Sequence, residues 1–584
     1  MRHTHVAAAC GAATLVAAAL AGPAGAQGVT QGSTLGSRTV DHSGKPENYL
    51  VLTRTAGDAS SVAESLRSQG ARVTSVNTDI GVIGVRTDDA NFRDNAGALR
   101  SVEGVAADRV VGHSPENGVD RSKVETEHLR VARSGAKVTG RKAAPAESSQ
   151  GDPLDNNLWG MRMIKADQAH TRTLGNRQVK VGIMDTGVQA DHPDIHLNFD
   201  YRASRNFTTD IADIDGPCEV ATCIDPVGVD DDGHGTHVAG TIAAASNGFG
   251  VSGVAPRATI VEVRAGQDSG YFFATPTVNA LTYAGDAGLD VVNMSFYVDP
   301  WLYNCQGGAP EDTPEQAADQ DTIIESVTRA LDYAHMKNVT LVAAAGNEHT
   351  DMANPGTDLS SPDYGEDPHS RTIDNATCSN LPTEDPHVLG ITALGPSGKK
   401  ADFSNYTTQP RSGEVDLSAP GGWFRDYLGT SQYRTVDNEI LSTYPTKVLQ
   451  GEGYVDAAGN LTPAGTAAGV IQQCQATAAP GTTKCGFYQW LQGTSMASPH
   501  AAGVAALAVG AHGHRAGKAG FTMKPDAVAS LLMRTATDHT CPAGGVQSYT
   551  QEGRDASFTA RCVGTEKRNG FYGEGIVNAL GVVR

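Results

Sequence analysis

After Leu20, no apolar run in this 584-residue chain approaches the ~20 residues that a membrane-spanning helix requires, so no bilayer-crossing segment is expected. Positive charge is also scarce: 45 Lys and Arg stand against 65 Asp and Glu, a formal charge of −20. That deficit argues against nucleic acid or an anionic membrane as partner and describes a soluble, self-repelling monomer. Clusters such as Arg141-Lys142 are too short to reverse it. No C-x-x-C pair or tight Cys/His cluster occurs, which removes the usual structural-zinc patterns. Charged residues reach only 19% while glycine is abundant at 67, the composition of a loop-rich globular chain rather than a disordered one. The length suits one large domain plus a smaller one.

Arg2, His3 and His5, an apolar run ending near Leu20, and Ala24-Gly25-Ala26 form the three parts of an export signal, with cleavage expected after Ala26. The protein is therefore expected to be secreted. Of nine cysteines, Cys10 falls inside that signal. The rest suggest four disulfides, with local pairs 218–223, 474–485 and 541–562 the simplest and 305–378 left over, among roughly a hundred possible connectivities.

Residues 47–112 read as a unit of their own. Strands at Tyr49–Leu52, Ala71–Val76, Ile80–Val85 and Val105–Val111 interleave with helices at Ser60–Gln69 and Phe92–Val102, a β-α-β-β-α-β order of ferredoxin-like type. Residues 113–153 show no sustained periodicity and read as an exposed, cleavable linker. From there the texture is α/β. Continuous apolar runs at 179–184, 259–263, 291–294, 339–343 and 388–393 alternate with helical stretches at 237–245, 278–284 and 323–335. Strands apolar on both sides predict a parallel sheet with helices on both faces. Insertions at 205–231, 349–385 and 422–490 interrupt it.

Three segments carry the chemistry. Asp185-Thr186-Gly187 follows the run Val179–Met184; His234-Gly235-Thr236-His237-Val238-Ala239-Gly240 follows Asp230-Asp231-Asp232-Gly233; and Gly493-Thr494-Ser495-Met496-Ala497-Ser498-Pro499-His500 opens a helix. A serine hydroxyl is a weak nucleophile unless a base takes its proton and a carboxylate orients that base. The bland alternatives are a turn-capping Asp185, a packed histidine, Ser498 as the nucleophile, and an exposed acidic loop at 230–232. His234 and His237 lack the carboxylate of H-E-x-x-H, so a metal pair is disfavoured, and the serine stretch is not G-x-S-x-G. Pro499 is placed in the first helical turn, where its missing N–H is harmless.

At these motifs, over roughly residues 154–584, the chain resembles the subtilisin-like serine proteases, the subtilases, whose chain order is also Asp, His, Ser. The resemblance implies a catalytic triad of Asp185, His234 and Ser495, with Asn347 in Ala344-Ala345-Gly346-Asn347 donating its amide to the oxyanion. Ser295, Phe296, Tyr297, Ala345 and Gly346 would bind substrate, Tyr297 narrowing the first specificity pocket where the family commonly has glycine. Tyr271-Phe272-Phe273 would either wall a further subsite or pack in the core. A calcium ion (Ca2+) would be held by Asp155, Asp194 and Asn247 with the carbonyls of Ala245, Phe249 and Val251. Residues 47–112 would be an inhibitory propeptide, and 154–584 the peptidase domain. The expected activity is endopeptidase action on polypeptide substrates through an acyl-enzyme. The alternatives are a di- or tripeptidyl exopeptidase, its cleft walled by 422–490, and a catalytically silent binding protein on the same scaffold.

Overall fold

Strand Glu47–Thr53 (β1), helix Ala59–Ser68 (α1), strands Arg72–Asn77 (β2) and Val82–Thr87 (β3), helix Phe92–Gly97 (α2) and strand Val102–Ala107 (β4) open the computed structural model. They give the β-α-β-β-α-β order expected, in a sheet ordered β2-β3-β1-β4 with every pair antiparallel. The structure describes residues 47–108, 122–133, 151–362, 369–476, 483–515 and 521–584; the export signal read at 1–26 lies outside them, as does most of the linker.

The second sheet is parallel throughout. Its strands are Lys180–Met184 (β5), Arg205–Asn206 (β6), Thr259–Arg264 (β7), Val291–Met294 (β8), Thr340–Ala344 (β9), Val388–Leu394 (β10) and Leu417–Pro420 (β11). They stand in the order β11-β10-β9-β8-β5-β7-β6. Strands β8, β9 and β10 are buried at every residue, because helices cover both faces. Those helices are His234–Ala243 (α5), Ala274–Asp286 (α6), Pro314–Met336 (α7) and Thr494–His512 (α8). Helix α7 starts where Thr313 and Gln316 form a reciprocal capping box ahead of Pro314, a favourable first helical residue. Helix α8 is buried from Thr494 to Val509, as a helix apolar on all sides must be.

Pro499 is the sixth residue of α8, not part of its first turn, which corrects the sequence reading. Its missing N–H deprives the Ser495 carbonyl of a helical donor. The hydroxyl of Ser295 donates to that carbonyl at 3.2 Å instead.

The N-terminal α+β region and the parallel-sheet domain belong to one compact unit, Gly44–Arg584. Leu50, Leu52, Ile80, Val82 and Ala106 share an apolar core with residues of α6 and α7 such as Ala274, Val278, Ile323 and Val327. Glycines make this approach possible: a Cβ on Gly104 would stand 2.3 Å from Thr322 Oγ1, and one on Gly84 2.7 Å from Thr74 Oγ1 and 3.0 Å from Thr275 Cγ2.

The linker read at 113–153 is not uniformly exposed. Ser122–Glu125 (α3) and Glu127–Arg133 (α4) are helical, and Glu125, Glu127, His128 and Leu129 are buried. The insertion at 422–490 contributes an antiparallel sheet of Ile440–Tyr444 (β12), Ile471–Ala476 (β13) and Thr483–Leu491 (β14), ordered β12-β14-β13. All four disulfides pair as anticipated: 218–223, 305–378, 474–485 and 541–562. Among the described residues no helix is long and apolar enough to cross a membrane.

Candidate active site

Strand β5 ends at Met184 and delivers Asp185, fully buried, to the carboxyl edge of the sheet. Its Oδ1 accepts the Thr186 amide at 2.8 Å and lies 2.7 Å from Nδ1 of His234, the first residue of α5. The backbone before that histidine needs glycine. Gly233 has φ 105°, and a Cβ there would come within 2.6 Å of the Tyr444 ring. Asp230, read as part of an exposed acidic loop, is buried and holds the two motifs together. Its carboxylate accepts from the Thr186 hydroxyl at 3.0 Å, the Gly233 amide at 2.8 Å and the Thr236 amide at 2.9 Å. An aspartate four residues before the histidine motif was the only signal of this brace.

Sequence separation hides a second partner of His234. Its Nε2 lies 3.5 Å from Oε1 of Glu125 in α3, while Nδ1 faces Asp185. Burial on its own would keep the imidazole neutral, but the two carboxylates outweigh it and raise the His234 pKa well above the ordinary 6.5. Burial likewise pushes the Asp185 carboxyl up, opposed by the facing imidazole.

Ser495 sits at the second position of α8 with its Oγ donating to the Ser295 carbonyl at 3.4 Å. The same neighbourhood holds Glu125: a methyl on Gly493 would stand 3.2 Å from Glu125 Oε1 and 3.5 Å from Asn347 Nδ2. Asn347 Oδ1 accepts both the Thr494 amide and the Thr494 hydroxyl at 2.9 Å, which orients its NH2 group toward Gly493. Ser498 is taken by Ser295, hydroxyl to hydroxyl at 2.8 Å. His237 is buried with Nε2 near the Ile440 and Gln489 carbonyls, and burial lowers its pKa to about 3, so it packs rather than titrates.

Of the remaining substrate-binding candidates, Ser295 is absorbed into the support of α8 as described. Ala345 is buried, and its carbonyl accepts from Asn405 Nδ2 at 2.9 Å. Gly346 adopts φ 101° with its amide on the Thr494 hydroxyl at 3.1 Å. Phe296 stacks face to face on Phe272 with ring centres 4.0 Å apart, so this part of the aromatic stretch packs in the core. Tyr297 buries its ring with Leu302, Tyr303 and the Cys305–Cys378 disulfide, whose apolar surface draws it in.

The expected calcium residues do converge. Asp194 Oδ2 accepts from the Val251 amide at 3.0 Å and the Tyr488 hydroxyl at 2.8 Å, and Oδ1 faces Asn247 Nδ2 at 3.2 Å. The Ala245 amide donates to the Asp194 carbonyl at 2.8 Å, and the Phe249 amide to Asn247 Oδ1 at 2.9 Å. Asp155 holds the Ser252 amide at 2.8 Å. A third carboxylate, Asp152, unremarked in the sequence, accepts the Gly248 amide at 2.7 Å and the Ser252 hydroxyl at 2.9 Å. Burial raises the carboxyls of Asp155 to about 6 and Asp194 to about 7, and among the described residues no lysine or arginine pairs with them. Buried Asp152 and Asp194 and half-buried Asp155, brought together from two segments around the 247–252 loop, form an oxygen-donor set suited to a hard cation. Another acidic group, Asp210, Glu219 and Asp225, lies in the 205–231 insertion.

Comparison with known proteins is consistent with this geometry. A sequence model described as the subtilase family matches residues 176–559. Subtilisin DY of Bacillus licheniformis is 26% identical over 351 residues, covering 60% of this chain and 83% of its own. An intracellular serine protease of Paenibacillus polymyxa is 31% identical over 286 residues, 49% of this chain and 68% of its own. Among solved structures, an epidermin leader peptide processing serine protease from Staphylococcus aureus superposes with TM-score 0.56 at 17% identity, over 92% of this chain and 98% of that one. Fervidolysin from Fervidobacterium pennivorans superposes with TM-score 0.51 at 20% identity, over 92% and 61%. At that identity the two structures speak to the fold alone.

Proposed function

Because the chain belongs to the subtilase family and is a serine-type peptidase, we propose that it is a secreted endopeptidase made as a latent precursor. Asp185 fixes the tautomer of His234, His234 removes the Ser495 proton, and Ser495 attacks the peptide carbonyl. The Asn347 amide and the Ser495 backbone N–H then meet the developing oxyanion at the N-terminus of α8. Water resolves the acyl-enzyme, with His234 again moving the proton. The observation that carries this reading is the 2.7 Å contact between Asp185 and His234 at the carboxyl edge of the sheet.

Residues 47–112 act as the inhibitory propeptide, and Glu125 holds the site silent. Facing two carboxylates, His234 is kept as the imidazolium and has no free nitrogen to accept a proton. Removal of 122–133 returns it to service as a base and frees the Ser495 hydroxyl to turn from the Ser295 carbonyl. The exopeptidase alternative finds less support, because the long insertion buttresses α5. The hydroxyls of Ser442 and Thr443 in β12 donate to the carbonyls of His237 and Thr236 at 2.7 and 2.8 Å.

Asp152, Asp155, Asp194 and Asn247, with the carbonyls of Ala245, Phe249 and Val251, would hold calcium, which supplies charge compensation for the loop and no catalytic step. Four disulfides and the expected signal fit an extracellular protein.

The test is Ser495→Ala. It should lower hydrolysis of an unfolded protein by ~10⁶-fold and leave the precursor uncut with its fold intact by circular dichroism. Undiminished hydrolysis would overturn the assignment.

A further inference from the structure

Beside the catalytic residues, the segment 122–133 inserts a carboxylate into a slot that none of the reaction steps uses. Glu127 is 3% exposed at its side chain. Its Oε1 receives Nε and Nη2 of Arg425 at 2.6 and 2.5 Å. Its Oε2 receives Nη2 of Arg554 and Nε2 of Gln492, both at 3.3 Å. Both carboxylate oxygens are thus met by donors from the peptidase domain.

Those donors have anchors of their own, so the slot does not depend on Glu127 for its shape. Arg425 Nη1 donates to the Glu552 carbonyl at 2.7 Å. Arg554 Nε donates to Asp402 at 2.6 Å, and the Phe424 amide fixes Gln492 through its Oε1 at 2.6 Å. The neighbouring acid, Glu439, is engaged by His128 at 2.8 Å and pairs with neither arginine. The two guanidinium groups face two buried carboxylates, Glu127 and Asp402, while the exposed Asp555 adds a weaker attraction on Arg554. When the segment departs, Asp402 is the buried carboxylate left against both cations. Arginine stays charged at any working pH, so Arg425 loses its closest carboxylate partner while nearly buried.

The slot also lies where a peptide would run. The Gln492 amide donates to the Glu125 carbonyl at 3.2 Å and its Nε2 to the Val124 carbonyl at 2.9 Å, three residues before Ser495. Backbone held there presents a side chain two positions on to Arg425 and Arg554.

We propose that Arg425, Arg554 and Gln492 form a substrate subsite for an acidic side chain, and that Glu127 fills it only in the precursor. The proposal rests on the peptidase reading and on loss of 122–133 during maturation. The subsite reads charge and fork geometry together: a glutamate accepts from both guanidinium groups, whereas a glutamine offers one oxygen and sets an NH2 against cations.

The full chain is allowed to mature and is assayed on peptide pairs differing only in Glu or Gln at one position, scanned along the peptide. At one position Glu should raise kcat/KM by about tenfold or more over Gln. Arg425→Met and Arg554→Met should each bring that ratio to about one. Equal rates for Glu and Gln at every position, in an enzyme that cleaves both, overturn the subsite and leave the peptidase reading standing. If no peptide is cleaved and a serine-directed phosphonate fails to label the protein, the peptidase reading fails instead. An arm independent of catalysis uses the uncut Ser495→Ala chain with and without Glu127→Gln. Added trypsin should cut at Arg130 about tenfold faster in the Gln variant, and an unchanged cutting rate refutes the slot.

Discussion

Two parts of the N-terminal region lie against the peptidase domain, and they hold on by different physics. The α+β unit docks through an apolar face, Leu50, Leu52, Ile80, Val82 and Ala106 against α6 and α7. Hydrogen bonds frame that face: Asp319 accepts from Arg93 at 2.6 Å and from the Ala107 amide at 3.0 Å, and Arg329 donates to the Thr53 carbonyl at 2.9 Å. The segment 122–133 buries Leu129 among the apolar residues of the 440–496 region, but Glu125, Glu127 and His128 each meet an ionisable partner. Apolar burial depends little on pH or on competing ions, whereas a contact made of charges yields to protonation and to rival carboxylates. The first contact is indifferent to pH and salt; the second responds to both.

The largest expected effect asks whether that contrast belongs to the contacts or to the domain beneath them. If Asp152, Asp155 and Asp194 hold calcium as proposed, chelation should cost ~3 kcal/mol, a fall of several degrees in Tm by calorimetry. Both N-terminal parts should remain bound, since each is held by contacts of its own away from that site. A released segment with unchanged Tm would place the ion at the wrong site. Next in size, Asp319→Ala leaves the Ala107 amide without its side-chain acceptor and weakens the hold on Arg93. It should loosen the α+β unit by ~2 kcal/mol, about thirtyfold. Hydrogen exchange would show it as faster exchange in β4 without added exposure around His234. If α3 and α4 opened equally, the two contacts would be one cooperative unit.

The same contrast governs how far the sequence could be read. Val291–Met294 matches its predicted run to the residue, and β5, β7, β9 and β10 shift by at most one residue at an end. A continuous apolar run has only one place to go. Strand β11 escaped notice because Leu417–Pro420 is four residues ending in proline, and β6 because Arg205–Asn206 is two polar residues at an edge. The motifs brought Asp185 and His234 together as expected. Glu125, Glu127 and Asp230 were out of reach, since a charged residue declares its role only through its partner. The partners of Glu127 stand about three hundred residues or more away in the chain.

The smallest effect isolates the charge at the cleft itself. With 122–133 in place, burial lowers the His234 pKa, but Asp185 and Glu125 together lift it well above 6.5. Asp185 stays after the segment leaves, so the charge that binding adds beside His234 is that of Glu125, which raises the pKa against the burial that lowers it. A group whose pKa is raised on binding supports that binding below its released-state pKa, and the support fades as pH rises through the bound-state value. The segment 122–133 should therefore be held most firmly in acid and should open as the solution becomes alkaline. Glu125→Gln keeps the shape and removes the charge, which should flatten this dependence and speed opening at acidic pH. The gain should reach about tenfold if the lost carboxylate lets the bound-state His234 pKa fall by about one. The readout is trypsin cutting at Arg130 in the uncut Ser495→Ala chain across a pH series, corrected for trypsin's own profile on a free peptide. Should Glu125→Gln leave the slope intact, His234 is not the titrating partner and the cleft contact is no more charge-driven than the docking face.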